Sequence, residues 1–194
     1  TSKSDPLEQL LQMSQRLEKL LSSRYGANGR GLIEKLKDVE SEVPKQLGKK
    51  IGEIGRIRND AVHKDPDVAR QNLQIVKNDY AYVMNAFEYS DAKLKQLSDS
   101  FEKFLDIYYK IGRQLEKRYD ATGETLLDKM TSVQYSLSQE IQAPVRQLVT
   151  LYQEDVNPDF TAAQRSLQTA NALDESIQTA FRKARNTRPQ SVQR

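Results

Sequence analysis

One short stretch of this chain carries the side chains best suited to chemistry: Arg56-Ile57-Arg58-Asn59-Asp60-Ala61-Val62-His63. His63 is the sole histidine among 194 residues, and imidazole is the side chain best able to move protons near pH 7. Arg58 offers a planar guanidinium fork, a group that grips an anion and stabilises charge developing on it. Asn59 is placed to orient either group. Arg58, Asn59 and His63 are therefore the candidate catalytic residues. The plainer roles are a helix-end residue near the Asp65-Pro66 turn for His63 and a solvated or salt-bridged arginine for Arg58. With no cysteine and one histidine, disulfides, thiolate nucleophiles and histidine-built metal sites are excluded within one chain. No metal and no cofactor is expected.

These residues must be positioned by helices. Asp5-Pro6 is a helix start, an N-cap followed by proline at the first helical position. Leu7, Leu10, Leu11, Leu17, Leu20 and Leu21 follow at helical spacing. Tyr25 to Gly31 reads as a glycine-rich loop, and its Gly26-x-x-Gly29-x-Gly31 pattern lacks the strand and the Gly-Lys-Ser/Thr ending of a phosphate loop. Leu32, Ile33, Leu36, Val39 and Val43 mark a second helix that Pro44 stops. Leu47, Ile51, Ile54, Ile57 and Val62 mark a third, the one that carries Arg58 and His63. Asp65-Pro66-Asp67 turns the chain into a fourth helix with Val68, Leu73, Val76, Tyr80, Val83 and Phe87.

The chain then matches itself. At an offset of 94, without gaps, 17 of the 81 positions from Leu7 to Phe87 are identical. Arg24-Tyr25 lies over Arg118-Tyr119, Ala27 and Gly29 over Ala121 and Gly123, and Ala86-Phe87 over Ala180-Phe181. Apolar positions agree better than polar ones, as burial in a shared fold would require. In the second copy Ser90-Asp91 opens a long helix to about residue 118, Thr122 to Thr125 holds the loop, Pro144 divides helices two and three, and Asn157-Pro158-Asp159 is the turn before a last helix to about residue 185. No run alternates apolar and polar residues, so no strand is expected. The fold class is all-α: two tandem four-helix bundles, residues 5–88 and 91–185, packed as a pseudo-dimer and followed by a basic disordered tail, 186–194.

The copies differ where the chemistry lies. Arg58 and His63 become Tyr152 and Asn157, while Ile57 and Val62 stay apolar as Leu151 and Val156. Gly48, Gly52 and Gly55 become Gln142, Arg146 and Val149. Three helical glycines disfavour the helix by about 2–3 kcal/mol relative to alanine. Gly48 and Gly52 share a face, where a close backbone approach with no room for a larger side chain is expected.

A four-helix bundle with Arg-Asn-x-x-x-His late in its third helix resembles the HEPN superfamily, on Arg58, Asn59 and His63. The resemblance covers residues 5–88, with the second copy a degenerate HEPN-like repeat. The His-x-Tyr extension of one toxin branch is missing, since Lys64-Asp65 follow His63. The resemblance implies an RNA-directed module: either a metal-independent endoribonuclease acting as a dimer, or a non-catalytic binding or scaffold unit. In the catalytic case the histidine works on a ribose 2′-hydroxyl or the leaving 5′-oxygen, the arginine holds the scissile phosphate, and Lys49, Arg56 and Lys64 are the flanking nucleic-acid contacts. One chain holds one such motif, so a full site needs two chains meeting through the first copy. The alternative function is a helical protein-interaction or scaffold module within a longer protein.

The overall balance is that of a water-soluble chain. Hydrophobic residues make up 37% and charged residues 29%, with 30 basic against 27 acidic residues, a net +3. That charge alone does not imply nucleic acid. Six basic residues between Lys45 and Lys64 oppose only Glu53 and Asp60, and Arg182 to Arg194 holds five basic residues and no acid. No apolar run approaches the length of a membrane span. A cytoplasmic protein with RNA, a protein partner or a second copy of itself as partner is expected, and no membrane.

Overall fold

The computed structural model describes residues 5–156 and 159–187. Within them every regular element is helical and no strand occurs. No helix among the described residues is long and apolar enough to cross a membrane. The chain divides into two compact units at Ser98/Asp99, inside a helix rather than at the Tyr89-Ser90 junction.

The first unit holds α1 (Pro6–Tyr25), α2 (Leu32–Asp38), α3 (Lys45–His63), α4 (Asp67–Phe87) and the opening turns of α5 (Asp91–Tyr119). Asp5 caps α1 by accepting from the Leu7 N–H at 3.3 Å, with Pro6 as the first helical residue. Leu10, Leu17 and Leu21 of α1, Leu47, Ile51 and Ile54 of α3, and Val76 and Val83 of α4 form the core. Each such side chain stabilises the fold by about 1.5–3 kcal/mol on burial. α3 packs on α4, α2 and α1, and Lys50 ties α3 to α4 through Asp79 at 2.6 Å while lying 4.6 Å from the Tyr82 ring centre.

The second unit holds the rest of α5, α6 (Leu126–Ser132), α7 (Gln139–Thr150) and α8 (Ala163–Thr187). α7 continues into a π-helical stretch, Leu151–Val156, and a 3₁₀ turn, Phe160–Ala162, precedes α8. Phe104, Ile111, Ile141, Val145, Leu148, Ile177 and Phe181 form its core.

Several pairs of residues 94 positions apart share local geometry. α1 ends at Gly26 with φ 70° and α5 at Asp120 with φ 57°, both left-handed. The next residues, Ala27 and Ala121, are buried and bond back to the carbonyls of Leu21 and Leu115. Gly29 and Gly123 have φ 134° and 127°. A Cβ on Gly29 would lie 2.8 Å from Cβ of Glu34, and one on Gly123 would collide with Asp128, 94 positions on. Lys35 donates to Ser22, and Lys129 pairs with Glu116. Tyr25 and Phe87 lie 6.1 Å apart, Tyr119 and Phe181 6.2 Å apart.

Two sequence expectations need correction. Pro144 does not divide helices; it lies inside α7. The break falls at Ser138, the α7 N-cap, which is 94 residues beyond Pro44, the α3 N-cap. α2 is also shorter than its apolar pattern suggests. It ends at Asp38, and Val39 and Val43 are buried from the connecting turn instead. α8 runs to Thr187, and Thr1 to Ser4, Asn157, Pro158 and the tail from Arg188 lie outside the described residues.

The glycine stripe is corrected as well. Gly48 and Gly52 do face α2, but a Cβ there would meet Leu36 at 4.0 and 3.6 Å, ordinary contact. The close approach is at Gly55, where a Cβ would lie 2.5 Å from Cδ1 of Ile33. Gly52→Ala is therefore expected to stabilise the fold by about 0.5–1 kcal/mol through helix propensity. Gly55→Leu is expected to destabilise it by about 1–3 kcal/mol through overpacking. Urea unfolding midpoints of the two variants check the opposite signs.

Candidate functional site

The apolar spacing of α3 buries Leu47, Ile51, Ile54, Ile57 and Ala61, and the residues between them form its outer surface. Arg58 directly follows the buried Ile57 and is half-buried. Its Nη1 donates to Oδ1 of Asn59 at 2.9 Å. Arginine has only donors, so this contact fixes which way the Asn59 amide faces. The Arg58 Nε is shielded from water and has no hydrogen-bond partner. A buried donor left unmade costs about 1–3 kcal/mol, so the position is held at the expense of stability.

His63 is the last residue of α3 and is exposed. The chain turns immediately after it: the N–H groups of Lys64 and Asp65 both bond to the Asp60 carbonyl, and the Asp65 carboxylate accepts from the Asp67 N–H at 2.9 Å. Helical geometry places Arg58 and His63 on faces about 140° apart and puts Asn59 one turn below His63 on the same face. The structure thus joins Arg58 to Asn59 directly. Arg58 and His63 share no hydrogen bond among the described residues.

The flanking cations are placed differently from one another. Arg56 pairs with Glu53 at 2.5 Å and with Asp60 at 3.6 Å. Lys64 pairs with the same Asp60 at 2.7 Å. The Lys64 hydrogen bond, with the charges of Lys64 and Arg56, holds the Asp60 carboxyl below its ordinary range against the opposing effect of burial. The Arg56 hydrogen bond does the same for Glu53. Lys49 is exposed. Asp60 and Glu53 escaped the sequence reading as members of the site, although their three- and four-residue spacing from Arg56 and Lys64 is the signal that marks such pairs.

In the second unit Tyr152 occupies the place 94 residues beyond Arg58, within the π-helical stretch. Its ring lies 4.6 Å from Tyr108 and nearly parallel to Phe104 at 6.4 Å. Burial pushes the Tyr108 hydroxyl up to about 12 and raises that of Tyr152. The residues 94 positions before Phe104 and Tyr108 are Leu10 and the buried Ser14. An aromatic trio in one unit thus corresponds to Leu10, Ser14 and Arg58 in the other. Tyr82 and Tyr108 are buried, while Tyr89 and Tyr109 are exposed.

No group of three or more histidine, cysteine or carboxylate side chains able to hold a metal occurs among the described residues. No family model matches this chain, and no curated protein and no solved structure matches it.

Proposed function

We propose that residues 5–88, within the first unit, form a HEPN-like RNA-directed module that cleaves RNA without a metal when two chains bring their Arg58, Asn59 and His63 together. The observation that carries this reading is Arg58: a half-buried guanidinium, anchored to Asn59 by one nitrogen, whose Nε is kept from water without a partner. A fold keeps such a group against its stability where an anionic ligand uses it. The second unit we read as a degenerate copy of the same bundle. The matched turns, the matched Tyr–Phe pairs and the filling of the Arg58 place by Tyr152 support that.

In this reading Arg58 holds the scissile phosphate. One His63 removes the proton of the ribose 2′-hydroxyl as its oxygen attacks phosphorus. The His63 of a second chain gives a proton to the departing 5′-oxygen as the P–O5′ bond breaks. One product ends in a 2′,3′-cyclic phosphate and the other in a 5′-hydroxyl. The test is incubation of the whole chain with single-stranded RNA in EDTA. Cleavage with cyclic-phosphate ends is expected, with a rate per chain that falls on dilution. Cleavage that needs a divalent cation, or none at any concentration, removes the nuclease reading.

A second reading has its own support. The cations beside the motif are paired with carboxylates, and Val62 is 42% exposed between Asn59 and His63. A non-catalytic module binding a protein partner through the end of α3 would use that surface.

A further inference from the structure

We infer that Asp60 is an anionic gate on the α3 surface, a residue that restrains RNA binding by occupying Arg56 and Lys64; this rests on the RNA-directed reading of the first unit. Glu53, Arg56 and Asp60 follow one another at helical spacing along one stripe of α3, and Lys64, the residue just past its C-terminus, extends the series, with charges that alternate and sum to zero. Asp60 touches both cations, Lys64 at 2.7 Å and Arg56 at 3.6 Å. Its side chain is 25% exposed, against 62% for Arg56 and 75% for Lys64, so the carboxylate is the inner member and the two cations reach over it. His63 stands three residues after Asp60, on the same side of the helix.

The arrangement adds little to folding. Exposed ion pairs contribute little to stability, and Arg56 ahead of Asp60 is the weaker order for a helical pair. Its larger effect is on what approaches from solvent. A phosphate chain reaching this stripe must draw each cation away from Asp60 and then lie beside the carboxylate. Polyanions held only by charge are turned away. A ligand that also engages Arg58 and Asn59 still gains from contacts Asp60 does not oppose. This is discrimination by a repulsive element.

The experiment measures binding of a fluorescein-labelled oligouridylate to the whole chain by anisotropy across a salt series, for wild type, Asp60→Asn and Glu53→Gln. Asp60→Asn keeps the shape and removes the charge. It is expected to bind several-fold tighter near 0.1 M salt, with the log K against log salt slope steeper by about 0.7, one freed cation, because Lys64 loses its partner while Arg56 stays paired with Glu53. Glu53→Gln frees Arg56 only in part and is expected to change the slope by about half as much. Unchanged helicity and unfolding midpoint in both variants exclude a folding effect. If wild type binds and Asp60→Asn binds with equal or lower affinity and the same slope, the gate is wrong and the RNA reading stands. If neither wild type nor either variant binds, the gate falls together with the RNA reading.

Discussion

Replacing His63 by alanine is expected to slow metal-free RNA cleavage by about 10²–10⁴-fold, the usual share of a positioned proton-transfer group. Arg58→Ala is expected to slow it by about 10²–10³-fold, the loss that follows removal of one donor aimed at developing charge. The two variants part company in stability. His63 is exposed at a helix end, so its removal leaves unfolding unchanged. Arg58 carries a shielded Nε without a partner, so Arg58→Ala leaves the urea midpoint unchanged or raises it. A merely structural arginine gives the opposite pattern, lost stability with unchanged cleavage. Arg58→Lys is expected to recover little, because an ammonium keeps the charge but lacks the planar fork. Tyr152→Phe, in the second unit, leaves cleavage as in wild type. Rates from a fixed RNA substrate in EDTA, with unfolding midpoints of the same preparations, check all four variants.

Arg24→Ala is expected to have the largest effect on stability among single surface-proximal changes. Arg24 reaches across from the end of α1 to the junction of α4 and α5. Its Nε and Nη2 bind Asp91 at 2.8 and 2.7 Å, its Nη1 donates to the Phe87 carbonyl at 2.7 Å, and its Nη2 donates to that of Tyr89 at 2.5 Å. Its guanidinium also lies 5.2 Å from the Phe87 ring centre. Phe87 is the last residue of α4, whose terminal carbonyls have no partner within the helix. A charged donor from another helix therefore caps α4 and fixes the entry to α5 together. Removing it leaves two carbonyls and one carboxylate to rearrange, a loss of about 2–3 kcal/mol. That lowers the midpoint of thermal unfolding by on the order of 5–10 °C. Arg118, the residue 94 positions on, also lies over a phenylalanine, Phe181 at 4.9 Å. The place corresponding to Asp91 is Arg185, however. Arg118→Ala is expected to shift the midpoint by only a small part of that amount, and scanning calorimetry of the pair tests the difference.

The helical class and the start of α1 were legible because local chemistry dictates them. The Asp5-Pro6 cap and the leucine spacing of α1 need no tertiary information, and the glycines at 26 and 29 announce a turn that the left-handed backbone there requires. Pro144 misled because proline is a strong helix breaker in isolation. Five residues into α7, the buried face of Ile141, Val145, Leu148 and Val149 outweighs it. The shared face of Gly48 and Gly52 points to a close approach there, whereas of the three helical glycines Gly55 is the one that meets a side chain closely, the branched Ile33; which side chain lies opposite is not written in the spacing. The Arg24 clamp joins residues 63 to 67 positions apart, beyond any local pattern. At the candidate site the motif residues were legible by type, and Asp60 was legible in principle from its spacing to Arg56 and Lys64. The unpaired Nε of Arg58 was not, because it depends on what packs around α3.

The central claim, that the first unit meets RNA through the end of α3, is tested most directly by photo-crosslinking. A single-stranded RNA carrying 4-thiouridine is irradiated with the whole chain in EDTA, and the adducted peptides are identified by mass spectrometry. The account predicts adducts concentrated in the segment from Lys45 to Lys64, weakened in Arg58→Ala and strengthened in Asp60→Asn. Adducts confined to residues 99–194, or none above those of an unrelated protein of similar charge, would contradict it.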